Sequence, residues 1–184
     1  MIEAWTVYTN FRLSAKARQE LFGRIWESYH RRLYVFIRSR VGEEAEDLVH
    51  DVMLKVFENL DQYKPVYSFN SWIYAIARHH CINILRRRSV ERSGRQILAA
   101  EADRGPEQPT PENEMLNREL NRRIERALDA LPPDYRQIAF LRYYEKKRCR
   151  DISRIMDIPV GTVKSRLYAI RRRIEKALES DDIV

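Results

Sequence analysis

Cysteine and glycine are scarce in this chain, and their scarcity excludes several kinds of site. The 184 residues include only two cysteines, Cys81 and Cys149, and five glycines. Two distant cysteines without a Cys-x-x-Cys pair make neither a disulfide framework nor a zinc site, and the adjacent His79 and His80 point apart on a helix. The glycines are too scattered for a phosphate-binding loop. No carboxylate pair or nucleophile–base set is visible, so we predict no metal, no cofactor, no catalytic residues and no enzymatic activity.

Long apolar runs are also missing. No window approaches the roughly 20 apolar residues that a membrane helix needs. Residues 1–10 lack the basic-then-apolar order of a signal peptide. Hydrophobic residues make up 44% of the chain, which is ordinary for a globular protein with a real core. We therefore expect a cytoplasmic protein without direct membrane insertion.

Basic charge is in excess, at a formal net charge of +7, and it is unevenly distributed. Residues 1–88 carry 14 basic and 10 acidic side chains, and residues 114–184 carry 17 and 12. Residues 89–113 carry 3 and 5, with two glycines, three prolines and little periodic apolar content. Such a segment is typical of an exposed linker. We predict two helical domains on a flexible linker, which lets both bind one partner molecule.

Residues 151–167 have the pattern of a helix-turn-helix. Three apolar residues mark its first helix: Ile152, Ile155 and Met156. Asp157 falls where the turn needs a left-handed backbone. From Val163 to Ile174, apolar residues recur at spacings of four, three and four, so this stripe packs inward and the opposite face is free for DNA.

The free face is strongly basic, with six basic residues and one acidic residue between positions 164 and 176. Arginine and lysine side chains read guanine edges in the major groove or hold phosphates. Residues early in the helix should therefore determine which DNA sequence is bound, and later residues should anchor the helix on the phosphate backbone. The predicted DNA-binding residues are Thr162, Lys164, Ser165, Arg166, Tyr168, Arg171 and Arg172. A second basic cluster predicts phosphate contacts and steep salt dependence: Lys146, Lys147, Arg148 and Arg150.

The N-terminal block is predicted to be helical as well. An apolar stripe from Leu21 to Ile37 ends near Gly42, where an acidic run suits a new helix start. The next segment, residues 45–60, is apolar on more than one side, so it lies inside a bundle or meets a partner protein. Burial does not explain a polar set on its remaining face, which could dock on a protein: Asp47, His50, Asp51 and Lys55.

A loop with three aromatic residues, 61–70, precedes a helix, 71–88, that ends in three arginines. Aromatic and amide side chains beside cations suit unpaired bases, because stacking is worth about 1–3 kcal/mol per base. The favoured surface candidates are Tyr67, Asn70, His79 and Asn83. We assign Trp72, Ile73, Ile76 and Ala77 to the core.

Motifs in both blocks, in this order and at this total length, resemble those of the extracytoplasmic function (ECF) sigma factors of bacterial RNA polymerase. In the first block, EDLVHDVMLKVF at residues 46–57 is similar to the clamp-binding helix of sigma domain 2, and FNSWIYAIAR at residues 69–78 to its promoter-melting segment. In the second, LPPDYR at residues 131–136 and VGTVKSRL at residues 160–167 are similar to sigma domain 4.

The resemblance covers about residues 20–88 and 114–178. It implies an all-α protein with four parts: an N-terminal extension (1–19), sigma domain 2 (20–88), a linker (89–113) and sigma domain 4 (114–184). It also implies a stress-response or envelope-signal regulator. The implied partners are core RNA polymerase, promoter DNA and an anti-sigma factor, with no small-molecule substrate.

The family mechanism assigns each surface a role. Core polymerase would be bound by Asp47, His50, Asp51 and Leu54. The minus 10 element would be captured by Tyr63, Tyr67, Ser68, Asn70, His79, Asn83, Arg86 and Arg87. The helix beginning near Thr162 would read the minus 35 element. Opening the duplex needs no catalytic group, because a pocket for a flipped base offsets the few kcal/mol, roughly, of unstacking.

The chain departs from the family pattern at six positions. The family often has Gln at His50, Asn at His79 and Asp at Asn83, which implies a base pocket with a different preference. In domain 4 it often has Gly at Lys146 and Asp157 and a small capping residue at Arg148. Losing a helix cap lowers the stability of the fold by about 1 kcal/mol, which a folded module tolerates.

Two other classes of protein share a C-terminal helix-turn-helix. A dimeric operator-binding regulator would act without core polymerase and carry a sensor or receiver domain, which nothing here resembles. A serine recombinase would need an N-terminal α/β catalytic domain, which the helical pattern of residues 20–88 argues against. Binding of duplex operators by the chain alone would favour the regulator.

Overall fold

The computed structural model describes the backbone of residues 15–93 and 114–179 and the side chains of residues 16–89 and 122–179. Every regular element in these ranges is helical, which confirms the predicted all-α class. Most of the predicted N-terminal extension and of the predicted linker lies outside the described residues. Within the described ranges, no helix combines the length and apolar composition that a membrane span requires.

Three long helices form the N-terminal module. They are α1 (Ala15–Val41), α2 (Ala45–Glu58) and α3 (Phe69–Ser93), with short 3-10 turns at Gly42–Glu44 and Leu60–Gln62. Gly42 makes the break after α1 with a φ of +74°, a conformation that glycine adopts without steric cost. The predicted stripe on α1 is buried except for Trp26, which is half-buried. Helix α3 continues five residues past the predicted boundary at residue 88. The first glycine or proline that follows this boundary in the sequence is Gly94.

Four helices form the C-terminal module: α4 (Glu114–Asp129), α5 (Pro133–Ala139), α6 (Cys149–Met156) and α7 (Val160–Glu179). Pro133 occupies the first turn of α5, where its missing N–H has no helical partner to lose. A π-helical turn, Phe140–Tyr144, follows α5. Helix α4 packs on α7, and α6 packs on α7, so the predicted helix-turn-helix is the centre of this module.

Three of the positions at which the chain departs from the family pattern lie at turns of the C-terminal module. Asp157 closes α6 in the left-handed conformation that the sequence predicted, at φ +49° and ψ +51°. Lys146 is left-handed too, at φ +55°, and these are the two non-glycine residues with positive φ in the described ranges. Arg148 is the N-cap residue of α6 and makes no capping hydrogen bond through its side chain. At all three positions the local backbone favours the residue that the family often has.

We expect Asp157→Gly to raise the free energy of unfolding by about 0.5–1 kcal/mol, because glycine adopts left-handed backbone without the steric cost of a Cβ. The shift in the midpoint of urea unfolding measures this change, provided that the dependence of the unfolding free energy on urea concentration is the same in wild type and variant. The control is Asp151→Gly, the same exchange inside α6, where glycine should cost up to about 1 kcal/mol. Equal shifts in both variants would contradict the backbone explanation.

The two modules pack on each other. Helix α3 contacts α6, and α1 contacts α5. Phe140 of the C-terminal module lies against Phe36 and Tyr74 of the N-terminal module, with ring centroids 5.9 and 6.0 Å apart. Buried side chains of both modules form one continuous cluster. The sequence predicted two modules but not their contact.

Candidate functional site

Helix α7 carries the predicted DNA-reading side chains on the face away from the core. Val163, Leu167 and Ile170 are buried against the module. The predicted residues that are exposed are Lys164, Ser165, Tyr168, Arg171 and Arg172. Thr162 is half-buried and its carbonyl accepts a hydrogen bond from Ser165 Oγ at 3.0 Å. The structure therefore leaves a basic helical face open along most of the predicted set.

Arg166 differs from its neighbours on α7, because its own module already holds it. Its Nη1 lies 3.5 Å from Asp134 Oδ2, and its guanidinium lies 5.4 Å from the centroid of the Tyr135 ring. The charges of Arg40 and Arg78 reach the same carboxylate. Burial alone would raise the pKa of Asp134, but the hydrogen bond from Arg40 and these nearby positive charges hold it below its ordinary value. To contact a base, Arg166 has to leave this ion pair.

The predicted phosphate cluster spans the turn before α6 and the first turn of that helix. Lys146, Arg148 and Arg150 are exposed, whereas Lys147 is half-buried. Burial lowers the pKa of the Lys147 ammonium, despite the opposing charges of Glu145 and Asp151. Three of the four predicted phosphate contacts are therefore freely accessible to DNA.

Helix α2 presents all four predicted polymerase-binding residues on one exposed face. The opposite face is buried, through Leu48, Val49, Val52, Met53 and Val56. Leu54 is 57% exposed beside the polar residues of this face. Asp51 Oδ2 lies 3.4 Å from His80 Nε2 of α3. Asp47, His50, Asp51 and Leu54 form the surface that we call the α2 face.

A cleft of about 250 Å³ adjoins the α2 face, and sequence reasoning missed it. Trp26 and His30 of α1 form one wall, with their rings stacked 5.4 Å apart. His50 forms the other wall, and its ring centroid is 5.0 Å from that of Trp26. The half-burial of Trp26 brings it to this surface, whereas its place in the apolar stripe had predicted a core residue.

The loop before α3 brings some of its predicted base contacts to the surface. Tyr67 is exposed. Ser68 is exposed and caps α3, because its Oγ accepts a hydrogen bond from the Ser71 N–H at 3.2 Å. Asn70 is half-buried, and its Nδ2 donates to Glu145 Oε2 at 3.2 Å.

Tyr63 was predicted as a base contact, but its side chain belongs to the core. The residue is 4% exposed, and its ring packs against Phe69 and Trp72 at centroid distances of 5.2 and 5.3 Å. Its hydroxyl donates to the Tyr67 carbonyl at 2.7 Å. A ring held on both sides cannot stack on a base, so Tyr63 shapes the loop instead.

Helix α3 continues the loop surface. His79, Asn83, Arg86 and Arg87 are exposed and lie at spacings of four, three and one, which places them on one side of the helix. Ile76 and Trp72, at steps of three and then four residues from His79 toward the loop, are half-buried along the same side. The loop and this stripe make one aromatic, amide and basic surface, which we call the α3 surface.

Glu145 joins the two modules and was not predicted as a functional residue. Its side chain has no exposed surface. Its Oε1 accepts from Arg32 Nε at 2.7 Å and its Oε2 from Arg32 Nη2 at 2.5 Å, in the two-point geometry that makes arginine–carboxylate pairs strong. Burial would lower the pKa of Arg32, but the hydrogen bond and the charge of Glu145 raise it above its ordinary value.

These surfaces define a two-module helical protein with a DNA-binding helix-turn-helix. The sequence model of Sigma-70 region 2 matches residues 25–91, and that of Sigma-70 region 4 matches residues 121–174. The ECF RNA polymerase sigma factor SigW of Bacillus subtilis is 28% identical over 171 residues, covering 89% of this chain and 91% of SigW. The ECF RNA polymerase sigma-E factor of Haemophilus influenzae is 32% identical over 142 residues, covering 74% and 75%.

A solved structure has the same fold. The sigma factor RpoE of Bartonella quintana, in complex with the anti-sigma factor NepR, superposes with a TM-score of 0.71 at 23% identity, covering 87% of this chain and 98% of that one. The chain belongs to the ECF sigma factor family. It is a sigma factor that directs RNA polymerase to promoters, and it is not an enzyme. An operator-binding regulator would carry a sensor domain in its N-terminal part. In this chain, that part matches Sigma-70 region 2 instead.

Proposed function

We propose that three surfaces divide the work of initiation in this sigma factor. The α2 face binds core polymerase, the α3 surface holds unpaired bases of the minus 10 element, and the exposed side of α7 reads the minus 35 element. The domain limits that we assign to this division are residues 20–88 and 114–184, with residues 89–113 as the linker.

The exposure of the α2 face is the observation that carries the proposal. A leucine at the end of a polar, exposed helix face gains by burial against a partner, at about 25 cal/mol per Å² of apolar surface removed from water. Asp47 and Asp51 precede it on the same face with negative charge, in a chain whose net charge is +7. An anionic patch on a basic protein fixes the orientation of a docking partner.

The proposed minus 10 contacts are the exposed members of the α3 surface and Asn70. Tyr67 supplies a ring for stacking and Asn70 an amide for a base edge, while Arg86 and Arg87 hold phosphates. His79 and Asn83 stand where the family often has Asn and Asp, so they give the pocket its own base preference. Ser68 acts through the helix cap, and Tyr63 acts only as a support for the loop.

The proposed minus 35 contacts follow the order of residues along α7. Thr162, Lys164, Ser165 and Arg166 lie in its first two turns, where a recognition helix meets base edges. Tyr168, Arg171 and Arg172 lie farther along and hold the backbone. Lys146, Lys147, Arg148 and Arg150 add phosphate contacts beside the motif, with Lys147 contributing least because of its burial.

We expect Lys146→Ala with Arg148→Ala to reduce the salt dependence of promoter binding. Each lost phosphate contact removes about 0.9 from the slope of log affinity against log salt, so the pair should remove about 1.8. Promoter binding by the holoenzyme is measured across a salt series. The control is Lys16→Ala with Arg24→Ala, two exposed basic residues of α1. An unchanged slope in the first variant would refute the phosphate contacts.

We also propose a place in the cell for this activity. The chain acts in the cytoplasm, in a response to stress or to an envelope signal, and an anti-sigma factor holds it inactive until the signal arrives. The Bartonella protein of the same fold is in complex with an anti-sigma factor, which supports this arrangement. The exposed Leu54 is a natural target for such a partner.

Run-off transcription with purified core polymerase and a library of promoter fragments tests the proposal. Transcripts that appear only when this chain is added would reveal its promoter motif, with a minus 35 and a minus 10 element at fixed spacing. Substitutions in Lys164 or Arg166 should then alter the minus 35 preference, and substitutions in His79 or Asn83 the minus 10 preference. No transcripts, together with specific duplex binding by the chain alone, would favour an operator-binding regulator.

A further inference from the structure

Histidines gather at the α2 face. The chain has four histidines, and three of them lie on this face or beside it: His30, His50 and His80. Imidazole is the side chain whose charge ordinarily changes between pH 5 and pH 8. Asp47 and Asp51 of the same face supply negative charge to the proposed polymerase contact, so protons on these imidazoles act on that contact directly.

His80 lies against the α2 face from helix α3. Its Nε2 is 3.4 Å from Asp51 Oδ2, and the His80 side chain is 10% exposed whereas that of Asp51 is 53% exposed. A protonated imidazole at this place forms an ion pair with Asp51 and cancels the negative charge that Asp51 would offer to a partner. A partner that covers Asp51 also removes water from His80, which makes the charged imidazole less favourable. Polymerase should therefore bind the chain in which His80 is neutral.

His50 belongs to the α2 face and is exposed. Its ring centroid is 5.0 Å from that of Trp26, and His30 stacks on the same indole at 5.4 Å. The other titratable or charged side chains that line the cleft beside His50 are His30, Arg31, Tyr34 and Glu46. Arg31 and a protonated His30 repel a positive charge on His50, whereas Glu46 attracts it. Charges of both signs therefore face His50, and water reaches it in the free chain.

The charge of the α2 face depends on these two imidazoles. While His50 and His80 are neutral, Asp47 and Asp51 give the face two negative charges. When both imidazoles are protonated, the positive charges cancel the negative ones. The groups of polymerase that complement an anionic face are cations. Protonation therefore removes the attraction and places two like charges against those cations.

We propose that the α2 face is a proton-sensitive interface, in which protonation of His50 and His80 weakens binding to core polymerase. The free chain accepts both protons more readily than the bound chain, because binding buries both imidazoles beside the cations that face Asp51. Affinity should therefore fall as the pH falls through the range in which imidazoles titrate. The inference rests on the proposed function in its assignment of the α2 face to core polymerase.

Titration of the labelled full-length chain with purified core polymerase at pH 8.0 and at pH 6.0 tests the proposal. Fluorescence anisotropy at constant salt, with a dye whose emission does not depend on pH, gives the two dissociation constants, and their ratio is compared between variants. An imidazole that titrates near pH 6.5 and loses its proton on binding makes this ratio about four. With two such imidazoles, the wild type should bind about fifteenfold more weakly at pH 6.0.

Single substitutions divide the effect between the two imidazoles. His50→Gln, which introduces the residue that the family often has, and His80→Gln should each lower the ratio to about four. The double variant H50Q/H80Q should retain only the pH dependence of polymerase itself, which is common to all variants. The control is His30→Gln, the same exchange in the same cleft but outside the α2 face, and it should keep the wild-type ratio.

Asp51→Asn tests the role of His80 without changing the imidazole. It should weaken binding at pH 8.0 and also lower the ratio below the wild-type value, because His80 loses the carboxylate that attracts its proton. Thermal unfolding at both pH values establishes that each variant is folded. If H80Q does not fold, then D51N and H50Q still decide between the expected result and its opposite.

Three outcomes would overturn the proposal and leave the polymerase role of the α2 face intact. They are a wild-type ratio equal to that of H50Q/H80Q, tighter wild-type binding at pH 6.0, and a ratio in H30Q as low as in the double variant. The last would place the titrating group in the cleft and not on the α2 face. A wild-type chain that binds core polymerase at neither pH would overturn this proposal and the proposed function together.

Discussion

Asp51→Ala combined with Leu54→Ala should weaken binding of the chain to core polymerase about a hundredfold, or roughly 2.7 kcal/mol. Leu54 is 57% exposed on the α2 face and loses its apolar contact on truncation. Asp51 loses a charge that fixes the docking orientation. Fluorescence anisotropy of the labelled chain, titrated with core polymerase at constant salt, measures the affinity. Run-off transcription at limiting core should fall in parallel.

The control for this pair removes the same two residue types from another surface. Asp129→Ala with Leu178→Ala changes exposed residues on α4 and α7 of the C-terminal module. Thermal unfolding of both double variants should match the wild type, since exposed side chains seldom contribute more than about 0.5 kcal/mol to stability. Equal loss of affinity in the two variants, or none in the first, would remove the α2 face from the polymerase interface.

The elements with strong periodicity could be predicted from the sequence. The stripe on α1 and the helix-turn-helix were predicted from apolar spacing, because one side of each helix meets the core. For α2, the spacing predicted a segment that is apolar on more than one side, and only its polar set was expected at the surface. Asp157 was predicted to be left-handed from its place in the turn, and the backbone there is left-handed. These are local properties, set by residues within a few positions of one another.

The burial of Tyr63 could not be read from the sequence in the same way. Tyr63 and Tyr67 lie in one loop of similar composition, yet the first is core and the second exposed. What separates them is packing against Phe69 and Trp72 of α3, which depends on how the loop folds back on the helix. Loop composition predicted an aromatic surface but not which ring forms it.

No local pattern in the sequence predicts that the two modules contact each other. Arg32 and Glu145 are separated by 113 positions. Glu145 precedes a basic run, where a single acidic residue is expected to be a solvated charge. Its burial follows from the arrangement of α1, α3 and the π-helical turn around it, which no spacing within one helix encodes. Only the structure reveals that the linked modules also bind each other.

Phe36→Ala should lower the free energy of unfolding by about 3–5 kcal/mol, the range for truncating a fully buried phenylalanine. Phe36 is 0% exposed, and its ring meets Tyr74 edge-on at a centroid distance of 5.0 Å. The same ring contacts Phe140 of the other module, and the Phe36 carbonyl accepts from Gln137 Nε2 at 3.4 Å. The cavity would therefore weaken both the N-terminal module and its docking.

Urea unfolding followed by circular dichroism measures the loss, and Val35→Ala is the matched control. Val35 is the preceding residue on α1 and is 43% exposed, so its truncation should cost less than about 0.5 kcal/mol. A loss below about 1 kcal/mol in Phe36→Ala would mean that this ring is not packed as described. If the modules unfold together in the wild type and in two steps in the variant, then the ring at Phe36 couples the stability of one module to the other, as its contacts on both sides require.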